Sequence, residues 1–444
     1  MKKVLYIVFY YPPIGGSGVH RGVKFTHYLS EFNWDSVVLT PDPKLIKQPK
    51  DYSLLNEVSP EQKIHHFFTL DARWLFKIFW GLKLPQVVNW LNYHIFKPDA
   101  DILALPFLRY KISQLIKKYK IDLIFISGPP FSLMLNVLWL KKKYPLPVIV
   151  DFRDDWSMGQ SRLDNPPPES FRKYEVNLEH QVLSKADKVI VANEAIKNNF
   201  LSLYPDLSAE HFVVITNGYD EKDFQKVFPP RETEKDKLQI IYIGSLYGRR
   251  QPGIVWQVLI DLVGKGKINP DKISIHLYGP NYRSFVFNGF ENNKILEKMV
   301  NLHPYLPHSQ VPQIMSQADI LWLFIGSGPK SDAISTGKIF EYMRSGKPIW
   351  AVINPQGIAA DILKSSGLAF IADNENPDEI ASSLVNLYKN WQEGKLTVQP
   401  NWDYIHGFER RRLTKKLAEV FEQTLTNVNN NNFYTSHQSL NGQS

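Results

Sequence analysis

The sequence predicts an α/β protein with two doubly wound, Rossmann-like domains that face one another across a cleft. Three observations support this prediction: the chain has 444 residues, short apolar runs rich in Val and Ile alternate with helical patterns, and a polar break lies near the middle. A chain of this length corresponds to two or three domains. Continuous apolar runs are typical of strands covered on both faces, and their alternation with helices indicates parallel sheets.

The predicted strands fall into two sets, one on each side of the break. They are 4–9, 36–39, 123–127, 148–151, 188–192 and 213–216 in the first set, and 239–243, 274–278, 320–324, 348–352 and 368–370 in the second. The break is Phe228-Pro229-Pro230, followed by a run of charged residues. We therefore expect a first domain over 1–228, with a basic and aromatic insertion at about 65–120, and a second domain over 229–405. A helix over 406–426 and a disordered tail over 427–444, which is rich in Asn, Ser and Gln, complete the prediction.

Composition and charge exclude several classes of protein. The chain has no Cys, which rules out a disulfide scaffold, iron–sulfur clusters and Cys-ligated zinc. Its 52 Lys and Arg against 44 Asp and Glu give a net charge of +8. This excess suits a solubilising surface, anionic small molecules, an anionic membrane or nucleic acid. The uncharged stretch 123–140 approaches the length of a membrane span, but Ser127-Gly128-Pro129-Pro130 interrupts it, so we predict a strand, a turn and a buried helix.

The loop after the first strand contains Gly15, Gly16 and Ser17, directly before a predicted helix. Glycines let a backbone approach a ligand closely, and a helix N-terminus offers free N–H groups to an anion. We predict contact with a phosphorylated ligand here. The alternatives are a plain tight turn and a dinucleotide site, although the glycine spacing does not match G-x-G-x-x-G.

The loop after the strand over 239–243 combines glycine with two adjacent arginines. It contains Gly244 and Ser245 and, further along, Arg249 and Arg250. Guanidinium groups bind phosphate oxygens in a bidentate manner, so this loop suits a pyrophosphate. The alternative is a solvated basic turn.

A third loop of small residues leads into a helix that we expect to begin at about Thr336. Gly337 and Lys338 follow, and Glu341 lies three residues after Lys338, on the same face of the helix. A helix N-terminus with a Lys suits phosphates, and a carboxylate one turn further on can accept hydrogen bonds from ribose hydroxyls. The alternative is an ion pair between Lys338 and Glu341 on a surface helix.

Five segments, taken in their order and spacing, form a recognisable set. They are Tyr11-Pro12-Pro13 with Gly15-Gly16, Ala186-Asp187 with Val189-Ile190, Thr216-Asn217-Gly218-Tyr219-Asp220, Tyr242-Ile243-Gly244-Ser245-Leu246, and Lys338-Ile339-Phe340-Glu341-Tyr342-Met343 with Pro348-Ile349. In these segments the chain resembles the GT-B glycosyltransferases, in particular glycosyltransferase family 4 and its relatives in polysaccharide clusters. The resemblance covers almost the whole chain except the tail. It implies that the helix over 406–426 crosses back to brace the first domain.

The resemblance implies a specific chemistry. The second domain would bind a nucleotide-diphosphate sugar, and the sugar would be transferred with retention at the anomeric carbon, without an obligatory metal or other cofactor. By position, Glu341 would bind the donor ribose, Arg250 would take the place of a diphosphate-binding Lys, and His308 would lie where the nucleobase packs. Gly15 and Gly16 would lie near the donor phosphates and the acceptor.

Three residues depart from the family pattern. Ala333 stands where the first Glu of the E-x7-E motif is expected, Ser245 replaces an Arg, and the loop over 127–130 lacks the usual His. Ala333 and the missing His leave open a degenerate homologue that only binds a nucleotide or a partner. A second rival is a non-hydrolysing nucleotide-sugar 2-epimerase, which has the same double fold but needs its own set of acid/base carboxylate and His residues, and we assign no such set here.

Cleavage of a sugar–diphosphate bond leaves negative charge on the diphosphate, which positive groups stabilise. Arg250 and Lys338 are the candidate catalytic cations, with Arg249 beside them. Asp154, or Asp151 three residues earlier, could orient an acceptor hydroxyl or act as a base. The alternative is that Arg153 pairs with a neighbouring carboxylate and stiffens the loop. We predict no metal site.

The insertion is basic and aromatic. From residue 73 to residue 120 there are nine Lys or Arg against two acidic residues, and Trp and Phe cluster in its first half. This mixture suits an anionic membrane surface or the cover of a core, and we do not expect nucleic acid binding. We therefore expect a cytoplasmic enzyme, with peripheral contact at the inner face of the plasma membrane, that acts on a glycan or lipid-linked acceptor.

Overall fold

Two parallel β-sheets organise the chain, as the sequence predicts. The computed structural model describes residues 1–225 and 236–441, without the side chains of Ser17, Asn429 and residues 431–441. The predicted break at Phe228-Pro229-Pro230 lies outside the described residues. The chain divides into a first unit, Met1–Thr216 with Arg410–Ser444, and a second unit, Asn217–Glu409.

The first unit contains a seven-stranded parallel sheet, in the order β3-β2-β1-β4-β5-β6-β7. Its strands are β1 (Lys2–Val8), β2 (Trp34–Pro41), β3 (Lys63–Phe67), β4 (Leu123–Gly128), β5 (Val148–Phe152), β6 (Lys188–Val191) and β7 (Phe212–Val214). Its helices are α1 (Ser17–Tyr28), α2 (Arg73–Gly81), α3 (Pro85–His94), α4 (Leu105–Tyr119), α5 (Asn136–Lys143), α6 (Gln160–Asp164), α7 (Glu169–Lys185) and α8 (Glu194–Leu203). The stretch 123–140 forms β4 and the start of α5, as predicted. Among the described residues, no helix has the length and apolar character needed to cross a bilayer.

The second unit contains a six-stranded parallel sheet, in the order β10-β9-β8-β11-β12-β13. Its strands are β8 (Leu238–Ile243), β9 (Ile273–Tyr278), β10 (Val300–His303), β11 (Ile320–Phe324), β12 (Ile349–Ile353) and β13 (Ala369–Asp373). Its helices are α9 (Gly253–Gly264), α10 (Arg283–Val286), α11 (Lys294–Met299), α12 (Val311–Ser316), α13 (Lys338–Ser345), α14 (Ile358–Ser366), α15 (Pro377–Gln392) and α16 (Trp402–His406). Helix α17 (Arg410–Asn441) returns to the first unit.

The boundary between the units lies earlier than the predicted position at 228. The segment after Thr216 packs on the second unit: Tyr219 is buried in its core, and the Tyr219 N–H donates to the Phe408 carbonyl at 3.2 Å. Glu221 in the same segment accepts from the Arg344 Nε at 2.7 Å. These contacts move the boundary to residue 216, because tertiary contacts rather than Pro content decide where a domain ends.

Two edge strands were missed by the sequence analysis. β3 and β10 lie at the outer edges of their sheets and mix polar with apolar residues, so neither forms a continuous apolar run. The insertion predicted at about 65–120 is shorter in the structure, because both ends of this range belong to the core of the first unit. Its first residues belong to β3, and α4 is a core helix, since Leu108 and Ile112 on it are fully buried.

Helix α17 belongs to the first unit, in line with the implied return to the first domain. Leu413, Leu417 and Phe421 lie in the first core, and the Phe421 ring packs edge-on against Trp34 with ring centroids 5.2 Å apart. The helix continues through Asn441, so the prediction of disorder from Asn427 onwards is corrected over the part of the tail that the structure describes.

A buried ion pair joins α1 to the carboxyl end of the first sheet. Arg21 donates to both carboxylate oxygens of Asp151, at 3.0 and 2.7 Å, and both side chains are almost wholly buried. Ser127 donates a further hydrogen bond to Asp151 at 2.8 Å. Arg21 also donates to the Ile215 and Thr216 carbonyls, at 2.8 and 2.7 Å. The pair thus connects α1 to residues at the ends of three strands, with its hydrogen-bonding groups satisfied.

A second buried carboxylate, Glu179 of α7, lies beneath the segment that follows β5. It accepts hydrogen bonds from the Ser157 N–H at 3.1 Å, the Ser157 hydroxyl at 2.5 Å and the Tyr204 hydroxyl at 2.5 Å. Burial raises the pKa of Glu179 to about 7, although these hydrogen bonds act in the opposite direction. The folded state therefore holds this proton at pH values where the unfolded chain has released it.

We predict that Glu179→Gln stabilises the protein in a pH-dependent manner. Because the pKa is raised on folding, wild-type stability is lost as pH rises from about 4.5 to about 7, by up to about 3 kcal/mol. Gln does not titrate; its Oε1 can accept from the Ser157 N–H, and its Nε2 can donate to the Ser157 and Tyr204 hydroxyl oxygens, as the protonated carboxyl can. The difference in unfolding free energy between variant and wild type, measured by urea denaturation, should therefore grow between pH 4.5 and pH 8. A difference independent of pH would contradict the raised pKa.

Candidate functional site

The loop after β8 brings a glycine against a lysine. Gly244 has a φ of +134°, and a Cβ at this position would lie 2.6 Å from the Lys338 Nζ. Asn281 holds the loop from both sides: its Nδ2 donates to the Gly244 carbonyl at 3.1 Å, and its Oδ1 accepts from the Leu246 N–H at 2.8 Å. The Ser245 carbonyl accepts from the Tyr242 hydroxyl at 3.3 Å. The φ of Gly244 lies in a region that side chains with a Cβ rarely adopt, so the loop geometry favours glycine here.

Helix α13 begins at Lys338, with Gly337 as a cap residue that provides no side-chain hydrogen bond. The helix is held to the sheet by the Tyr342 hydroxyl, which accepts from the Ile243 N–H at 2.9 Å. The preceding Thr336 hydroxyl is buried and has no hydrogen-bond partner among the described residues. The start of α13 thus presents unused polar groups at the carboxyl edge of β8.

The Lys338 ammonium is the central charge of this site. Its Nζ lies 3.9 Å from the centroid of the Tyr242 ring, and in the described part of the chain it forms no hydrogen bond or ion pair. Burial, together with the nearby Arg250 charge, holds the pKa of Lys338 well below its ordinary value, while Glu341 acts in the opposite direction. The Lys338 side chain is only partly exposed, and a desolvated cation without an anion is unfavourable, so this position suits an anionic ligand.

Glu341 is bonded to a histidine rather than to Lys338. The His308 Nε2 lies 2.9 Å from the Glu341 Oε1, and both side chains are only partly exposed. The predicted alternative, a surface ion pair between Lys338 and Glu341, is therefore wrong. His308 was predicted near the nucleobase, and the structure places it beside the residue predicted to bind the ribose.

The two adjacent arginines occupy different environments. The Arg249 guanidinium donates to the Pro329 carbonyl at 2.7 Å and packs over Gly328, so it holds the loop before α13 in place. The Arg250 guanidinium lies over the Tyr247 ring at 5.0 Å, and its charge lowers the pKa of Lys338. Arg249 thus has a backbone partner in the loop before α13, and the charge of Arg250 lies beside Lys338; that both bind a ligand stays a prediction.

The glycine loop of the first unit is only partly available to a ligand. The Gly15 N–H donates to the Pro49 carbonyl at 2.8 Å, and a Cβ at Gly15 would lie 3.3 Å from the same oxygen. The Gly15 N–H is therefore already paired, and a side chain at this position would require its neighbours to shift by a few tenths of an ångström. Gly16 has a φ of +108°, is exposed and caps α1, which begins at Ser17. Of the two glycines, Gly16 is the one that a ligand could reach.

Arg153 links the acidic segment after β5 to backbone carbonyls of two neighbouring loops. Arg153 donates to the backbone carbonyls of Gly18, Gly128 and Pro129, the last two at 2.7 and 3.1 Å. The alternative in which Arg153 pairs with a neighbouring carboxylate is therefore wrong, since its partners are backbone carbonyls. Asp151 is occupied by Arg21, which excludes it as a base, whereas Asp154 is exposed.

Sequence reasoning missed Tyr242 and Asn281 as parts of the site. Tyr242 was assigned to a buried strand, although its position two residues before Gly244 placed it next to the loop. Asn281 follows Gly279-Pro280, a turn signal at the end of a strand. Ala333 is buried and offers no polar group, while the neighbouring Asp332 is exposed.

The two sheets, with their loops at the carboxyl ends of the strands, define an α/β protein of the GT-B type, and comparisons with known proteins support this. Residues 23–223 match the model of Glycosyltransferase Family 4. An uncharacterized glycosyltransferase of Methanocaldococcus jannaschii is 20% identical over 440 residues, which cover 95% of this chain and 99% of that protein.

Solved structures share the fold. Sucrose-phosphate synthase from Thermosynechococcus elongatus superimposes with a TM-score of 0.64 at 13% identity, over 96% of this chain and 100% of that one. A Listeria monocytogenes structure assigned as a UDP-N-acetylglucosamine 2-epimerase has a TM-score of 0.54 at 13% identity, over 95% and 97% of the two chains. The fold is thus common to both enzyme classes, while the family match and the curated relative identify this chain as a glycosyltransferase. The predicted resemblance to family 4 is confirmed.

We predict that Lys338→Met weakens ligand binding without lowering the stability of the fold. Met has a similar length and no charge to desolvate, so the melting temperature should stay equal or rise. Pyrophosphate binding should weaken about ten- to hundredfold, because a charge-assisted hydrogen bond contributes about 1.5–3 kcal/mol. Calorimetric titration and thermal denaturation check both parts, and Lys364→Met on the exposed face of α14 is the control. A variant that loses stability while keeping its affinity would assign Lys338 a structural role instead.

Proposed function

We propose that this glycosyltransferase takes its sugar from a nucleotide-diphosphate donor bound by the second unit. The observation that carries the proposal is the Lys338 ammonium, which lies at the start of α13 without an anionic partner in the described chain. A diphosphate would supply that partner. The helix start would add to it through the Gly337 and Lys338 N–H groups, which donate to no carbonyl in the described chain, whereas those of Ile339 and Phe340 are already bonded. Thr336, Gly337 and Gly244 line the same position.

The developing charge of the leaving diphosphate is what this site stabilises. As the bond to the sugar breaks, negative charge grows on the phosphate oxygens, and fixed cations then interact more strongly than with the intact donor. Lys338 and Arg250 are the catalytic residues in this proposal, and they need little reorganisation because packing on Tyr242 and Tyr247 already orients them. We propose that the reaction proceeds with retention and without a metal ion.

Glu341 is proposed to bind the donor ribose. Its Oε1 is bonded to His308, which fixes the carboxylate and leaves its other oxygen for a ribose hydroxyl. The sugar would lie towards Ala333, which stands in place of the first Glu of the E-x7-E motif and has no carboxylate. The protein would therefore bind the sugar through other groups than that Glu.

The first unit is proposed to hold a glycan or lipid-linked acceptor. Gly16 and Asp154 follow β1 and β5, and the carboxyl ends of these parallel strands lie on the same edge of the sheet. Asp154 is an exposed carboxylate that could orient an acceptor hydroxyl. We infer a role in building a polysaccharide on the cytoplasmic side of the membrane, without nucleic acid as a partner.

We predict that Arg250→Ala lowers turnover about 10²- to 10³-fold, as expected when one charge-stabilising group is removed, with little change in melting temperature. Arg249→Ala is the matched control: it removes the bond to Pro329, so it should lower the melting temperature and affect turnover much less. A donor for the assay is found first by a thermal-shift screen of nucleotide-sugars. Full turnover in Arg250→Ala would exclude that residue from the mechanism.

We predict a product with retained anomeric configuration, formed only when acceptor is present and undiminished by EDTA. Proton NMR of the product distinguishes retention from inversion. The epimerase alternative predicts conversion of the nucleotide-sugar without acceptor, and the degenerate alternative predicts binding without any product. Either of these results, or loss of activity with EDTA that added metal restores, would contradict the corresponding part of the proposal.

A further inference from the structure

A helical hairpin of the first unit exposes an unusual amount of apolar surface. This aromatic hairpin consists of α2, the connection over 82–84, and α3, and lies between β3 and α4. Trp80 and Leu82 at its tip are 64% and 61% exposed. Its exposed large apolar side chains are Trp74, Ile78, Trp80, Leu82, Leu84 and Trp90. Large exposed apolar patches on a folded domain mark interaction sites.

The opposite side of the aromatic hairpin is packed on the first unit. Phe76 contacts Phe96 with ring centroids 5.6 Å apart, and Tyr93 contacts Phe171 at 5.1 Å. At the base, Arg73 donates to Asp71 at 2.6 Å and to Asp101 at 3.1 Å. The hairpin is therefore anchored on its inner side, and its outer apolar face is held away from the core.

The charged side chains of the aromatic hairpin are all positive. No acidic residue occurs from Ala72 to Pro98, whereas this segment contains four Lys or Arg. Lys77 and Lys83 are exposed beside the apolar face, and neither is paired with a carboxylate in the described part of the chain. Tryptophans next to lysines are typical of segments that lie in the interface of a membrane with anionic lipids.

The hairpin lies at the functional edge of its sheet. It follows the carboxyl end of β3, and the charges of Asp101 and Arg73 at its base act on Tyr10, which follows β1. The glycine loop with Gly16 follows the same strand β1. A surface that contacts the hairpin would therefore lie near the edge that is proposed to hold the acceptor.

We propose that the aromatic hairpin inserts its tip into the interfacial region of an anionic lipid bilayer and docks the enzyme on it. Trp80, Leu82 and Leu84 enter the boundary between headgroups and acyl chains, while Lys77 and Lys83 bind the headgroups. The hairpin lies in the interface and does not cross the bilayer, since neither helix is long enough. The proposal does not depend on the transfer reaction and is tested without a donor.

The test is co-sedimentation of the full chain with vesicles of phosphatidylcholine, with and without phosphatidylglycerol, at low and high salt. We expect binding to the anionic vesicles at low salt. The triple variant Trp80→Ser, Leu82→Ser, Leu84→Ser should bind at least about tenfold more weakly, because it loses the apolar surface that enters the bilayer. The double variant Lys77→Glu, Lys83→Glu should also bind at least about tenfold more weakly, since each basic residue contributes roughly fivefold at such a surface.

The control is the double variant Tyr52→Ser, Tyr282→Ser, which removes two equally exposed aromatic side chains elsewhere. It should bind vesicles as the wild type does, and circular dichroism should show all variants folded. Equal binding of the triple variant and the control, or no preference for anionic lipid, would overturn the proposal. Loss of a dimer in the triple variant, with no vesicle binding by the wild type, would also overturn it and assign the face to a second copy of the chain.

Discussion

The first unit depends on the buried ion pair between Arg21 and Asp151. A buried charge is tolerable only when its partners are complete, and here two carboxylate contacts, a hydroxyl and two carbonyls satisfy the pair. Loss of one partner would leave the other charge buried at a cost of about 3–5 kcal/mol. Because Arg21 lies on α1, the pair fixes the helix whose N-terminus carries Gly16. The position of Gly16, a candidate acceptor residue, thus depends on the Arg21–Asp151 ion pair, which has no catalytic role in the proposed reaction.

The second unit contains the opposite case, a desolvated charge whose partners are not complete. Lys338 is desolvated against Tyr242, and its charge has no counterion in the described chain, which is why we propose that an anion binds there. The side chains around it are satisfied by other means: Arg249 by a carbonyl, Glu341 by His308 and Tyr342 by a backbone N–H. The desolvated Lys338 charge lowers the stability of the folded state, and Lys338 is the residue at which we propose that the diphosphate binds.

The sequence predicted the central strands well but missed β3 and β10, two of the four edge strands. Central strands are buried on both faces and therefore form continuous apolar runs, whereas β3 and β10 are partly exposed and mix polar with apolar residues. For the site, the sequence identified the three loops but could not assign their side chains. Arg249 and Arg250 are identical and adjacent, yet one is bonded to Pro329 and the other lies beside Lys338.

The sequence by itself determined the two parallel sheets, the glycines at the ends of β1 and β8, and the basic aromatic character of the hairpin, because periodicity and composition are local properties. Only the tertiary structure decided which polar groups are already satisfied. Asp151 meets Arg21 across 130 residues, and Arg153 meets the Gly18 carbonyl across 135. Contacts between residues so far apart leave no local pattern, so the division between structural and available charges appears only when the chain is folded.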